Sequence, residues 1–175
     1  MNRPLSLGTF LGLNHTALPS AFVATALLWG ILAMLGVWRL GFSLLEAVLG
    51  GLIAALLHWV GEAWHQFGHA WAARRVGYPM QGVELWWFFG RSIYPSDEPE
   101  LPARIHIRRA LGGAPASLVL ALLAGVITLG LRTSGGIAYW VGVVFVIENL
   151  FVFTLGAFLP LGFTDGSTLL RYWGK

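Results

Sequence analysis

Cysteine is absent from the 175 residues, and charge is scarce, with Asp, Glu, Lys and Arg together making up 11% of the chain. Without cysteine there is no disulfide framework and no thiolate metal site, so any bound metal must be held by His and carboxylate. With 57% hydrophobic residues and a mean hydropathy of +0.70, a water-soluble globule could not cover its own apolar surface. The composition is that of a polytopic membrane protein. Long polar linkers, low-complexity tracts and internal repeats are missing as well, so residues 1–175 read as a single membrane-embedded domain, with a tail and first span over 1–41 and a core over 42–170. A sequence pI of about 9.8 does not argue for nucleic acid, because the basic residues form no soluble patch.

What is present falls into four apolar runs. Residues 1–16 are short and polar, lack the succession of a cleavable leader, and are expected as a cytoplasmic tail or surface segment. The uncharged run from Ala17 to Trp38 suits one spanning helix, since roughly 20 residues cross the hydrocarbon. A longer stretch from Phe42 to Ala73 carries Glu46, His58, Glu62, His65 and His69, side chains that are expensive in lipid and usually face a protein interior or a water-filled cavity. Third and fourth spans are expected over about Ile107–Leu131 and Ile137–Leu159.

Between the second and third spans, Gly77, Pro79, Gly82, Gly90, Pro95, Pro99 and Pro102 enclose the β-prone run Val83 to Phe89. The expected fold is thus all-α and polytopic, with a short β-strand or hairpin at the cytoplasmic surface. Trp86 and Trp87 are candidates to contact a substrate that adds to an exposed strand edge, or simply to anchor the loop among headgroups. Asp97, Glu98 and Glu100 are expected as a solvated acidic turn.

Positive charge sets the orientation. With the N-terminus inside, Arg3, Arg74, Arg75, Arg91, Arg104, Arg108, Arg109, Arg171 and Lys175 lie on the inner side, against Arg39 and Arg132 outside. This distribution predicts both termini in the cytoplasm. His69 then lies five residues, or about 8 Å, from Arg74, inside the membrane near its cytoplasmic face.

Positions 58, 62, 65 and 69 step by four, three and four and fall on one helical stripe. His65 and His69, four apart, can hold one metal ion together. His65-Gln66-Phe67-Gly68-His69 has the form of the zinc-protease motif His-Glu-x-x-His, with Gln66 at the position of the general base. His15, His58 and His106 read as packing residues, and Glu46 and Glu148 as helix-contact or interface residues.

Three segments in order carry a family resemblance: His65 to Ala70 with Ala73-Arg74-Arg75 and Gly77; Ala110-Leu111-Gly112-Gly113-Ala114-Pro115; and Phe158 to Gly166, which contains Leu159-Pro160 and Asp165-Gly166. Together they resemble the site-2 protease family of intramembrane zinc metalloproteases over roughly residues 55–170. The resemblance implies zinc held by His65, His69 and Asp165, with Asn149 as a further polar residue of the site. It implies hydrolysis of a membrane-embedded protein or peptide within the bilayer. Phe163 and Ser167 depart from the family pattern tolerably, whereas Gln66 changes the chemistry, because an amide cannot take up the proton that the general base accepts.

Gln66 is compatible with an introduced substitution, with a natural pseudoprotease that binds membrane proteins as a scaffold subunit of a complex, or with Glu62 acting as a substitute base or as a partner of the histidines. A small metal or proton transporter is a competing class. It is disfavoured by the Leu-Pro and Asp-Gly segment and by the lack of an inverted repeat.

Overall fold

A computed structural model describes residues 3–175, so the first two residues of the expected tail lie outside it. Among the described residues, four helical stretches are long and apolar enough to cross a membrane: Pro19–Leu40, Leu44–Arg75, Ala103–Leu131 and Gly136–Phe158. The chain is an integral membrane protein with a small four-stranded sheet.

The local signals that bound these helices are plain. Helix α1 (Pro19–Leu40) has proline in its first turn and ends on Gly41, which takes the left-handed conformation that a helix C-terminus favours. Helix α2 (Leu44–Arg75) opens with a capping box in which Ser43 and Glu46 bond each other's backbone N–H groups. Glu46, expected as a helix-contact or interface residue, serves as a cap. Small residues let the helices approach closely. A Cβ at Gly51 would sit 2.8 Å from the Ala33 backbone of α1, and one at Gly68 would sit 2.3 Å from the Gly112 carbonyl oxygen.

The third span is two helices. Helix α3 (Ala103–Ala110) and helix α4 (Gly113–Leu131) meet at a break over Leu111 and Gly112. After α5 (Gly136–Ile147), the fourth span widens into a π-helix, Glu148–Leu155, and tightens into a 3₁₀ turn, Gly156–Phe158. Thr154 donates its hydroxyl proton to the Asn149 carbonyl, five residues back, at 2.7 Å. Helix α6 (Asp165–Tyr172) closes the chain.

The sheet goes beyond the hairpin that the sequence predicts. Strands β1 (Leu5–Phe10), β2 (Leu13–Ala17), β3 (Gly82–Trp86) and β4 (Phe89–Ile93) lie side by side in that order. Residues expected as a polar tail thus form a hairpin through the Leu11–Gly12 turn, where both residues have positive φ. The second strand of that hairpin pairs in parallel with β3. The apolar run from Val83 to Phe89, expected as a strand or hairpin, folds back at Trp87 and Phe88, so Trp86 faces Phe89 across a second hairpin. Leu13, Val83, Met80, Ala70 and Ala73 form the core that fixes the sheet to α2.

Candidate metal centre

His65 and His69 lie on the buried face of α2, and α6 brings Asp165 to them from the far end of the chain. The two Nε2 atoms are 3.0 Å apart. Asp165 Oδ1 lies 3.3 Å from Nε2 of His69, and Oδ2 lies 3.5 Å from Nε2 of His65. Ligands about 2.05 Å from a tetrahedral zinc ion stand roughly 3.3 Å from one another, and the three observed separations bracket that value.

The outward nitrogens of the rings are held. The Arg109 carbonyl, which can only accept, lies 2.9 Å from Nδ1 of His69 and so places the proton there and the lone pair on Nε2. Ser117 Oγ lies 3.0 Å from Nδ1 of His65. The Nε2 lone pair of His69, Nε2 of His65 and a carboxylate thus converge on one point, and the buried Asp165 Oδ2 has no hydrogen-bond partner. Gly113 leaves the point open, because a Cβ there would lie 2.4 Å from Nε2 of His65 and 2.5 Å from that of His69. This donor set fits a divalent cation preferring nitrogen and oxygen.

The three groups open onto a cavity of about 600 Å³, whose wall includes Glu62, Gln66, Gly90, Tyr94 and Phe163. Gln66 is buried with its side-chain amide fully engaged. It donates to Glu62 Oε1 at 2.9 Å and to the Gly90 carbonyl at 3.0 Å, and it accepts from the Ser92 hydroxyl at 2.9 Å. Glu62 also accepts the Gly90 N–H at 2.7 Å.

The other candidates lie apart from the ligands. Asn149 is fully buried against Gly61 and donates to the Phe145 carbonyl at 2.9 Å. Trp86 packs edge-on to Phe163. Trp87 is exposed at the hairpin turn, and its N–H bonds Ser20 at the start of α1, away from the cavity. Of the packing histidines, His15 bonds the Leu13 carbonyl and His106 stacks on Tyr172. His58 bonds the Phe88 carbonyl and stands 3.4 Å from Glu148.

Sequence reasoning missed Arg109 and Glu98. Arg109, counted among the basic residues that mark the membrane interface, is buried, and Glu98, expected in a solvated turn, accepts from both of its terminal nitrogens. The guanidinium also donates to the Tyr78 carbonyl at 2.7 Å and lies over the Tyr94 ring. Those bonds hold the Glu98 carboxyl below its ordinary range, while burial pushes the Tyr94 hydroxyl up. The signal available in the sequence was Glu98 within the Pro95–Pro102 loop, which three prolines stiffen.

The architecture matches that of a solved protein, the "Site-2 Protease from Methanocaldococcus jannaschii", with a TM-score of 0.62 over 97% of this chain and 70% of that one at 15% identity. The fold is that of a site-2 protease. In sequence, the site-2-protease-like chain is 29% identical over 162 aligned residues to the Mycobacterium tuberculosis protein named "Putative zinc metalloprotease Rip3", in each of two strains. The alignment covers 82% of this chain and 39% of the length of those relatives. No family model matches the chain.

Proposed function

We propose that this chain is a site-2-protease-type membrane protein that holds one zinc ion through His65, His69 and Asp165 and receives a membrane-embedded protein segment beside it. The observation that carries the reading is the meeting of two Nε2 atoms and a carboxylate at separations of 3.0, 3.3 and 3.5 Å, with the outward nitrogens already bonded. When bound, zinc supplies Lewis acidity toward a water molecule and a peptide carbonyl. The chain's own residues do the rest. Ser117 and the Arg109 carbonyl fix the two rings, Gly113 keeps the space before them clear, and the cavity wall admits an unwound segment to a site shielded from lipid.

Gln66 stands where a general base is needed, and its amide neither takes up a proton nor passes one to a leaving amine. Loss of a general acid or base costs on the order of 10² to 10⁴ in rate, so we propose a protein that binds its membrane partner and cleaves it slowly or not at all. The engaged state of the Gln66 amide favours this reading over one in which Glu62 substitutes. Glu62 Oε1 is itself taken up by Gly90 and Gln66.

Near-stoichiometric zinc by elemental analysis of purified protein, lost in His65→Ala, His69→Ala and Asp165→Ala, is the expected result. A metal-free parent protein overturns the assignment. The topology goes with this proposal: both termini, and the mouth of the cavity, face the cytoplasm.

A further inference from the structure

We infer that α2 caps the outer edge of β4 around Gly90 with a short ladder of side chains, and that Gln66 is present as a hydrogen-bond donor on its last rung. The inference does not depend on zinc.

Strand β4 is the rim of the sheet next to the cavity. In an antiparallel pair, alternate residues turn their N–H and C=O away from the partner strand. The Leu85 carbonyl is turned toward the β2 side, where it accepts the Leu18 N–H, so its cross-strand partner Gly90 is turned outward on β4. Unpaired outward groups of this kind are a template for a further strand. Here those of Gly90, and the Phe88 carbonyl in the turn just before β4, are occupied. His58 Nε2 bonds the Phe88 carbonyl at 2.9 Å, Glu62 accepts the Gly90 N–H at 2.7 Å, and Gln66 donates to the Gly90 carbonyl at 3.0 Å.

The geometry explains why a helix can do this. Residues 58, 62 and 66 follow one another at intervals of four, a rise of about 6 Å per step. Two residues of a strand advance about 6.8 Å. The helix step is thus close enough to the strand step for successive turns to reach the Phe88 carbonyl, the Gly90 N–H and the Gly90 carbonyl in order.

The chemistry of the last rung calls for an N–H donor. Gln66 faces two acceptors, the Gly90 carbonyl and Glu62 Oε1, and meets them with its two N–H bonds, while its oxygen accepts from Ser92. A carboxylate would offer no proton to either acceptor and would leave a buried carbonyl unsatisfied. Position 90 is matched to the ladder, since a Cβ there would lie 2.7 Å from Glu62 Oε1 and 3.3 Å from Gln66 Cγ. An extended guest in the cavity therefore finds the peptide group at Gly90 already paired, and pairs with β4 there only when the ladder opens.

The test is residue-resolved amide exchange on the full chain in lipid nanodiscs. In the parent protein the Gly90 N–H is expected to exchange at least tenfold more slowly than the Ser92 N–H, the next outward amide along β4. Gln66→Met, similar in length but without a donor, is expected to speed exchange over residues 89–93 about tenfold and leave α4 unchanged, and Gln66→Glu to do the same. Gln66→Lys, which restores a donor, is expected to return exchange toward the parent rate. Equal rates at Gly90 and Ser92 in the parent, which need no variant to fold, overturn the ladder. So does parental exchange in Gln66→Met or Gln66→Glu. Zinc measured on the same samples separates the two readings: absent zinc with a protected Gly90 defeats the metal centre alone, and bound zinc with an unprotected Gly90 defeats the ladder alone.

Discussion

Arg109 holds Glu98 through both terminal nitrogens while its backbone carbonyl, at the other end of the same residue, lies 2.9 Å from Nδ1 of His69. One buried residue thus couples the Pro95–Pro102 loop to a proposed zinc ligand. Removing one partner of a buried pair leaves an uncompensated charge and costs about 3 kcal/mol. Glu98→Ala is therefore expected to lower the thermal unfolding midpoint in detergent and to weaken zinc binding by roughly tenfold, the lower end of the range for lost outer-shell support. Unchanged zinc affinity in a destabilised variant would show that the loop and the ligand are uncoupled.

The same pair gives a pH dependence. Hydrogen bonds from Arg109 depress the folded-state pKa of Glu98 below its ordinary value of 4.5. A carboxyl whose folded value lies below its unfolded one stabilises the fold fully above the unfolded value, and that contribution is lost as pH falls through the folded value. Unfolding scans are expected to show a loss of stability below about pH 4.5 that is smaller in Glu98→Gln. Parallel profiles for the two proteins would remove this pair as the cause.

Gly113→Ala places a methyl group where a Cβ would lie 2.4 and 2.5 Å from the two imidazole nitrogens. Zinc content is expected to fall to near zero while the helical signal in circular dichroism persists. Ser117→Ala, which only frees the outer nitrogen of His65, is expected to cost roughly 10- to 100-fold in affinity. Competition with a chelator of known strength reads both.

Gln66→Glu supplies the missing base and is expected to raise hydrolysis of a bound membrane segment by 10² or more, read as a new peptide terminus by mass spectrometry. Loosening of β4 in this variant is a separate expectation with its own readout. A zinc-loaded variant that still binds its partner without cutting it would establish the scaffold role.

The lack of cysteine makes topology directly measurable, since each introduced thiol is the sole target for a membrane-impermeant reagent. Arg132→Cys is expected to react only from outside the cell, and Ser96→Cys only from the cytoplasmic side. The reverse pattern would invert the assigned orientation.

The spans and the pairing of His65 with His69 on one helix face were legible because length, hydropathy and the i, i+4 interval are local properties of the chain. Asp165 lies 96 residues beyond His69, a separation that spacing cannot bridge, and it came from family likeness alone. What escaped notice depends on long-range pairing. Leu5 and Leu7 alternate as a strand should, but the register shift at Gly8 interrupts the pattern, and the partner of β2 is 68 residues away. Arg109 looked like an interface residue because its neighbour Arg108 is the same type, and only the Glu98 pairing distinguishes them. The π-helical turns from Glu148 have no signature in composition at all.

The parallel pairing of β2 with β3 also bears on how the protein can be handled. Removing residues 1–18 would strip β3 of its neighbour and leave the Gln81 and Leu85 carbonyls without the N–H groups of Asn14 and Leu18 that they now accept. A truncation designed to tidy the front of the molecule would thus open a raw strand margin beside the membrane, and the expected product is clumped protein rather than a trimmed one.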